Sequence, residues 1–67
     1  SENQQVPLNK RYLELLAHGY SNKEIGRVMG VSTNTVKYHL KQIYGELRVD
    51  NRARAVNQAR ELGIIHA

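Results

Sequence analysis

Apolar positions along this chain recur with the period of a helix and are cut by glycines. Leu8, Tyr12, Leu13, Leu15 and Leu16 fall at i, i+4 and i+7 or i+8 and run up to Gly19. That pattern predicts a first helix, with Pro7 in its first turn or just before it, where no amide donor is missed. Glycine is the expected stop because it adopts the left-handed conformation cheaply. Ser21 and Glu24 then stand at the spacing of a capping box, serine at the cap and glutamate three residues on. A short second helix follows, with Ile25, Val28 and Met29 on one face and Gly30 as its stop. Ser32 is a plausible cap for a third helix, which carries Val36, Leu40, Ile43 and Leu47 at i, i+4, i+7 and i+11. It should end near Leu47, where Arg48-Val49-Asp50-Asn51 breaks the period. A fourth helix, from about Arg52 to Leu62, shows Ala55, Val56, Ala59 and Leu62, with Gly63 as the stop. No strand of useful length, repeat or low-complexity segment is present. The predicted fold class is all-α: four short helices around one small core.

The join between the second and third helices carries the functional signal. Met29-Gly30-Val31-Ser32 is a tight, glycine-containing turn, which lets two helices cross steeply, so residues 21–40 read as a helix-turn-helix. At 100° per residue, Val36, Leu40, Ile43 and Leu47 cluster within about 60° of one another, and Asn34, Lys37, Tyr38, Lys41 and Gly45 fall opposite them. Lysine donates to the guanine N7 and O6 acceptors, and a side chain with apolar surface can meet a thymine methyl. Ser32, Thr33 and Thr35 offer hydroxyls and free amides suited to phosphate oxygens.

Charge sharpens this picture. The 67 residues carry ten Lys and Arg against six Asp and Glu, a net charge of +4. Residues 1–22 balance to zero and so do residues 55–67. Residues 23–54 hold Lys23, Arg27, Lys37, Lys41, Arg48, Arg52 and Arg54 against Glu24, Glu46 and Asp50, so the whole excess lies there. A basic middle between neutral ends is the footprint of a polyanion partner. A protein-interaction module would show an uncharged or acidic third-helix face. An indifferent bundle would not require two lysines at i and i+4 on its outer face.

Other chemistry finds little to work with. There is no cysteine, so neither a disulfide framework nor a thiolate zinc site is available. That absence fits a reducing cytoplasm, the predicted location. No apolar run approaches the roughly 20 residues of a membrane span. His39 has no second ligand at metal spacing and reads as a packing or hydrogen-bonding residue, as Tyr44 reads as the edge of the core. Scattered histidines and a thin domain leave no nucleophile–base pair, so no enzyme, cofactor, metal or small-molecule ligand is predicted. Arg52 and Arg54 open the fourth helix, where cations oppose the helix dipole. Their placement points to a DNA phosphate or to an ion pair with an acid such as Glu24.

The run Gly-Tyr-Ser-Asn-Lys-Glu-Ile from Gly19 to Ile25 resembles the LuxR-type helix-turn-helix family. So do Thr35-Val36-Lys37-Tyr38-His39, Ile43-Tyr44 with Leu47, Val49 with Arg52 and Ala55-Val56, and the closing Ala59-Arg60-Glu61-Leu62-Gly63. The likeness covers about residues 12–65. It implies the DNA-binding end of a bacterial transcription regulator, a four-helix fold whose third helix enters the major groove of double-stranded DNA. On this resemblance Lys37, Tyr38 and Lys41, joined by Asn34 on the same face, are the expected base readers. Ser21, Asn22, Lys23, Ser32, Thr33, Thr35 and Arg52 are the expected phosphate contacts. The fourth helix can form a dimer contact in such domains, which assigns Ala55, Val56 and Ala59 to a homodimer on DNA. One stretch departs from the family pattern: Val6-Pro7-Leu8-Asn9 stands where members usually open Thr-x-Arg-Glu, so Asn9 replaces a glutamate. The chain starts at Ser1 on five polar residues, which predicts a linker remnant over residues 1–6 and the domain proper over 7–65.

Overall fold

The computed structural model describes the backbone of residues 5–66 and the side chains of residues 8–66. Four helices follow one another: α1 (Gln5–Ala17), α2 (Asn22–Met29), α3 (Thr33–Leu47) and α4 (Arg52–Glu61), with no strand among the described residues. Residues 5 and 6, expected in a linker, already belong to α1, and Pro7 lies in its first turn; residues 1–4 lie outside the described residues.

Caps and stops bound each element. Ser21 and Glu24 form a reciprocal capping box, Ser32 accepts from the Thr35 amide and Asn51 from the Arg54 amide, each satisfying an otherwise orphaned donor. Gly19, Gly30 and Gly63 all sit at positive φ (84°, 73° and 74°) just beyond helix ends. After α1, the Gly19 amide donates to the Leu16 carbonyl at 3.0 Å and the Tyr20 amide to the Leu15 carbonyl at 3.1 Å, the double bond of a Schellman stop. The end of α3 repeats this geometry without glycine: Arg48 holds φ 58° while its amide meets the Gly45 carbonyl and the Val49 amide meets the Tyr44 carbonyl.

One core joins the four elements. Tyr12, Leu13 and Leu16 from α1, Ile25 from α2, Val36, Leu40 and Ile43 from α3, and Ala55, Val56 and Ala59 from α4 are all buried, and Ile65 folds back from beyond Gly63 to close it. Helix α2 packs on α3, and α4 packs on both α1 and α3. Two expectations need correction. Val28, placed inward beside Ile25 and Met29, is 43% exposed. Leu62, placed in the α4 stripe, lies past the helix end and is 58% exposed, its place in the core taken by Ile65.

The expected dimer residues are corrected as well. Ala55 and Ala59 have no exposure and Val56 is buried, all three facing the interior of their own domain. Small side chains there let α4 lie close against the core, which leaves little of their surface for a second copy. The exposed residues of α4 are Ala53, Arg54, Asn57, Arg60 and Glu61, of which Arg54, Asn57 and Glu61 share one face.

Candidate nucleic-acid interface

Helix α3 is set against α2 by a join that depends on two glycines, Gly26 within α2 and Gly30 in the turn. Gly30 takes the left-handed conformation (φ 73°, ψ 32°), and the amides of both Gly30 and Val31 converge on the Gly26 carbonyl. Gly26 is buried, and a Cβ built on it would lie 2.7 Å from the Val31 carbonyl oxygen. The turn therefore folds back on α2 at a distance that only glycine allows at that position. The hydrophobic pattern does not show this, because a glycine carries no side chain to count. The one available signal was a helix-weakening residue inside an otherwise regular helix.

With α3 anchored by Val36, Leu40 and Ile43, its opposite face is open. Asn34, Lys37, Tyr38 and Lys41 are all exposed, Tyr38 at 61%. The Tyr38 ring meets His39 edge-on at 5.7 Å between centroids, and His39 in turn lies 5.2 Å from Tyr12, tilted by 36°. His39 thus links an exposed aromatic to a buried one, a packing role. Tyr44 is half-buried at the core edge, and burial raises its phenol above the ordinary value, with the Arg52 charge opposing.

The expected phosphate residues gather at the two helix starts. At α3, the Ser32 hydroxyl accepts from the Thr35 amide at 3.1 Å and shares a hydrogen bond with the Thr35 hydroxyl at 3.0 Å. Thr33 is exposed beside them. At α2, the Ser21 amide donates to the Glu24 carboxylate at 2.8 Å, and the Glu24 amide donates to the Ser21 hydroxyl at 3.2 Å. Hydrogen bonds from the Ser21 backbone and then its side chain hold the Glu24 carboxyl below its ordinary value, against a smaller effect of burial and with a still smaller aid from the Arg27 charge. Lys23 is exposed, while Asn22 is half-buried.

Arg52 departs from one of its expected uses, the ion pair with Glu24. Its guanidinium donates to the Tyr20 carbonyl and, at 3.0 Å, to the Asn22 side-chain oxygen. Glu24 is occupied by Ser21, so that ion pair does not form, and two of the Arg52 donors turn inward to the start of α2. Arg54 pairs loosely with Asp50 at 3.8 Å. Asn9 donates its amide to the Glu46 carboxylate at 2.9 Å, where a glutamate would have faced another acid.

A model of bacterial regulatory proteins of the luxR family matches residues 9–59. The HTH-type transcriptional regulator AlkS of Alcanivorax borkumensis is 45% identical over 53 residues, which are 79% of this chain and 6% of that protein. The putative HTH-type transcriptional regulator YhjB of Escherichia coli K12 is 52% identical over 46 residues, 69% of this chain and 23% of that protein. The transcriptional activator protein PhzR of Pseudomonas fluorescens is 39% identical over 66 residues, 94% of this chain and 27% of that protein. This chain therefore spans about a quarter or less of the length of these relatives, whose names are those of regulators rather than enzymes. No solved structure matches it. The match over residues 9–59, which reach all four helices, makes this chain a member of the luxR family of bacterial regulatory proteins, and its helix-turn-helix is a DNA-binding domain of such regulators.

Proposed function

We propose that α3 lies in the major groove of double-stranded DNA, with Lys37, Tyr38, Lys41 and Asn34 facing the base edges. The observation that carries this reading is the division of α3. One face is sunk in the core and the other presents two lysines, a tyrosine and an asparagine to solvent. Ser21, Asn22, Lys23, Ser32, Thr33 and Thr35 surround the two helix starts, where backbone amides and the positive dipole end favour phosphate oxygens. Two copies bind two half-sites and meet through the outward face of α4. Arg54, Asn57 and Glu61 on that face support a two-fold arrangement, because Arg54 of one copy can face Glu61 of the other. The regulator acts in the bacterial cytoplasm, where its DNA is, and the domain needs no small molecule to bind. No helix of the described residues is long and apolar enough to cross a membrane.

The test is titration of labelled duplexes at several salt concentrations, with footprinting on the preferred site. Affinity should fall log-linearly with salt, and protection should cover two half-sites about one helical turn apart. Salt-independent binding, or protection of one uninterrupted site by a single copy, would contradict the DNA reading or the paired one respectively.

A further inference from the structure

Arg52 opens α4, yet both of its fixed hydrogen bonds reach back about thirty residues to the start of α2. One terminal nitrogen donates to the Tyr20 carbonyl, and the other donates to the Asn22 side chain at 3.0 Å. A guanidinium has only donors, so the Asn22 atom facing it must be the carbonyl oxygen. That fixes which way the amide is turned. The NH2 group of Asn22 points away from Arg52, with both of its donors unclaimed by the guanidinium.

We infer that Arg52 is a positioning residue for phosphate binding, holding Asn22 so that its NH2 donates to a DNA phosphate oxygen, without touching the DNA itself. This rests on the reading of the domain as a DNA binder with the start of α2 against the phosphates. Two features of Arg52 suit the task. Its planar fork reaches two acceptors at once, which the single nitrogen of a lysine cannot do with the same geometry. Its bond to the Tyr20 carbonyl also ties the α1–α2 turn to α4, so the start of α2 is held from both sides of Asn22. Without Arg52 the asparagine amide loses the donor that sets its orientation, and its flipped form offers an acceptor to an anion.

The decisive variants are Asn22→Asp, Arg52→Met and Arg52→Lys in the 67-residue chain. Each is measured by thermal melting and by titration with a random-sequence duplex across a salt series. Asn22→Asp keeps an oxygen for Arg52 and removes the NH2, so it should melt at or above the wild-type temperature yet bind about tenfold more weakly. Arg52→Met should melt lower and bind more weakly with an unchanged salt slope, because no phosphate contact of its own is lost. Arg52→Lys, which keeps the charge, should not restore the affinity. Asn22→Asp binding like wild type would overturn the proposal. So would a salt slope reduced by about one in Arg52→Met together with rescue by Arg52→Lys, which would make Arg52 a direct phosphate contact. Wild-type chain that fails to bind duplex at low salt would instead remove the DNA reading on which the proposal stands.

Discussion

Gly26 and Val31 are locked together: the Val31 amide donates to the Gly26 carbonyl at 2.9 Å, and the Val31 carbonyl oxygen stands 2.7 Å from where a Gly26 Cβ would be. The obstacle is backbone held by a turn, so it cannot rotate aside as a side chain would. Gly26→Ala should therefore destabilise the domain by roughly 1–3 kcal/mol, although alanine is intrinsically favoured over glycine in a helix by about 1 kcal/mol. Gly45 is the internal control, a glycine in α3 whose Cβ would meet nothing within 4 Å. Gly45→Ala should stabilise by about 0.5–1 kcal/mol. Denaturant melts of both variants that shifted in the same direction would remove close packing as the reason for Gly26.

The same residue explains where the sequence was misleading. All four helices, their glycine stops and the serine caps were legible, because period and punctuation are local signals. The inward face of α2 was not. Ile25 and Met29 point inward with Gly26, and that face lies to one side of Val28. A glycine has no hydrophobicity, so the apolar residues alone rotate the apparent face toward Val28. In α4, the stripe Ala55, Val56 and Ala59 was legible as a stripe, but periodicity does not say whether the domain or a partner covers it. The hydrogen bonds of Arg52 were hidden for a related reason. Its partners lie about thirty residues away and one of them is a backbone carbonyl, which leaves no mark in a charge pattern. The outward face of α3 was legible because one long, regular stripe determines its opposite.

Lys37 and Lys41 stand one turn apart on that outward face. Replacing either with alanine should cost roughly 1–3 kcal/mol on the preferred site if it donates to a base edge, with the loss concentrated at particular base pairs. Competition titrations against single-base variants of the site read this directly. Uniform weakening on every sequence, with a salt slope lower by about one, would reassign that lysine to a phosphate.

The Ser21–Glu24 box makes a pH-dependent contribution of known sign. Hydrogen bonds from Ser21 lower the folded-state pKa of Glu24 below its ordinary value of 4.5. Its stabilisation is therefore fully present above the unfolded value and is lost as pH falls through the lower, folded one. Wild type should lose melting temperature more steeply than Glu24→Gln as pH drops from about 5 to about 3, so the gap between them narrows. Parallel curves over that range would mean that the charge of Glu24 contributes nothing to the cap.

Arg48 and Gly30 hold the same left-handed conformation at two helix ends, one with a side chain and one without. A side chain in that region costs roughly 1–2 kcal/mol through the crowding of its Cβ against the following carbonyl oxygen. Glycine avoids that cost but loses about 0.5–1 kcal/mol to the greater freedom of its unfolded chain. The difference gives opposite signs at the two sites. Arg48→Gly should stabilise the domain by about 0.5–1 kcal/mol, with the Arg48 and Val49 amides still bonded to the end of α3. Gly30→Val should destabilise it by more than 1–2 kcal/mol, because a β-branched residue is the poorest occupant of that region. The second change also tilts α3 against α2, so duplex affinity should fall further than the folded fraction alone accounts for. Arg48→Ala separates backbone from charge, since it discards the guanidinium but keeps a Cβ. If Arg48→Gly melts no higher than Arg48→Ala, the left-handed turn is not where the cost lies, and the gain expected from glycine there has no basis.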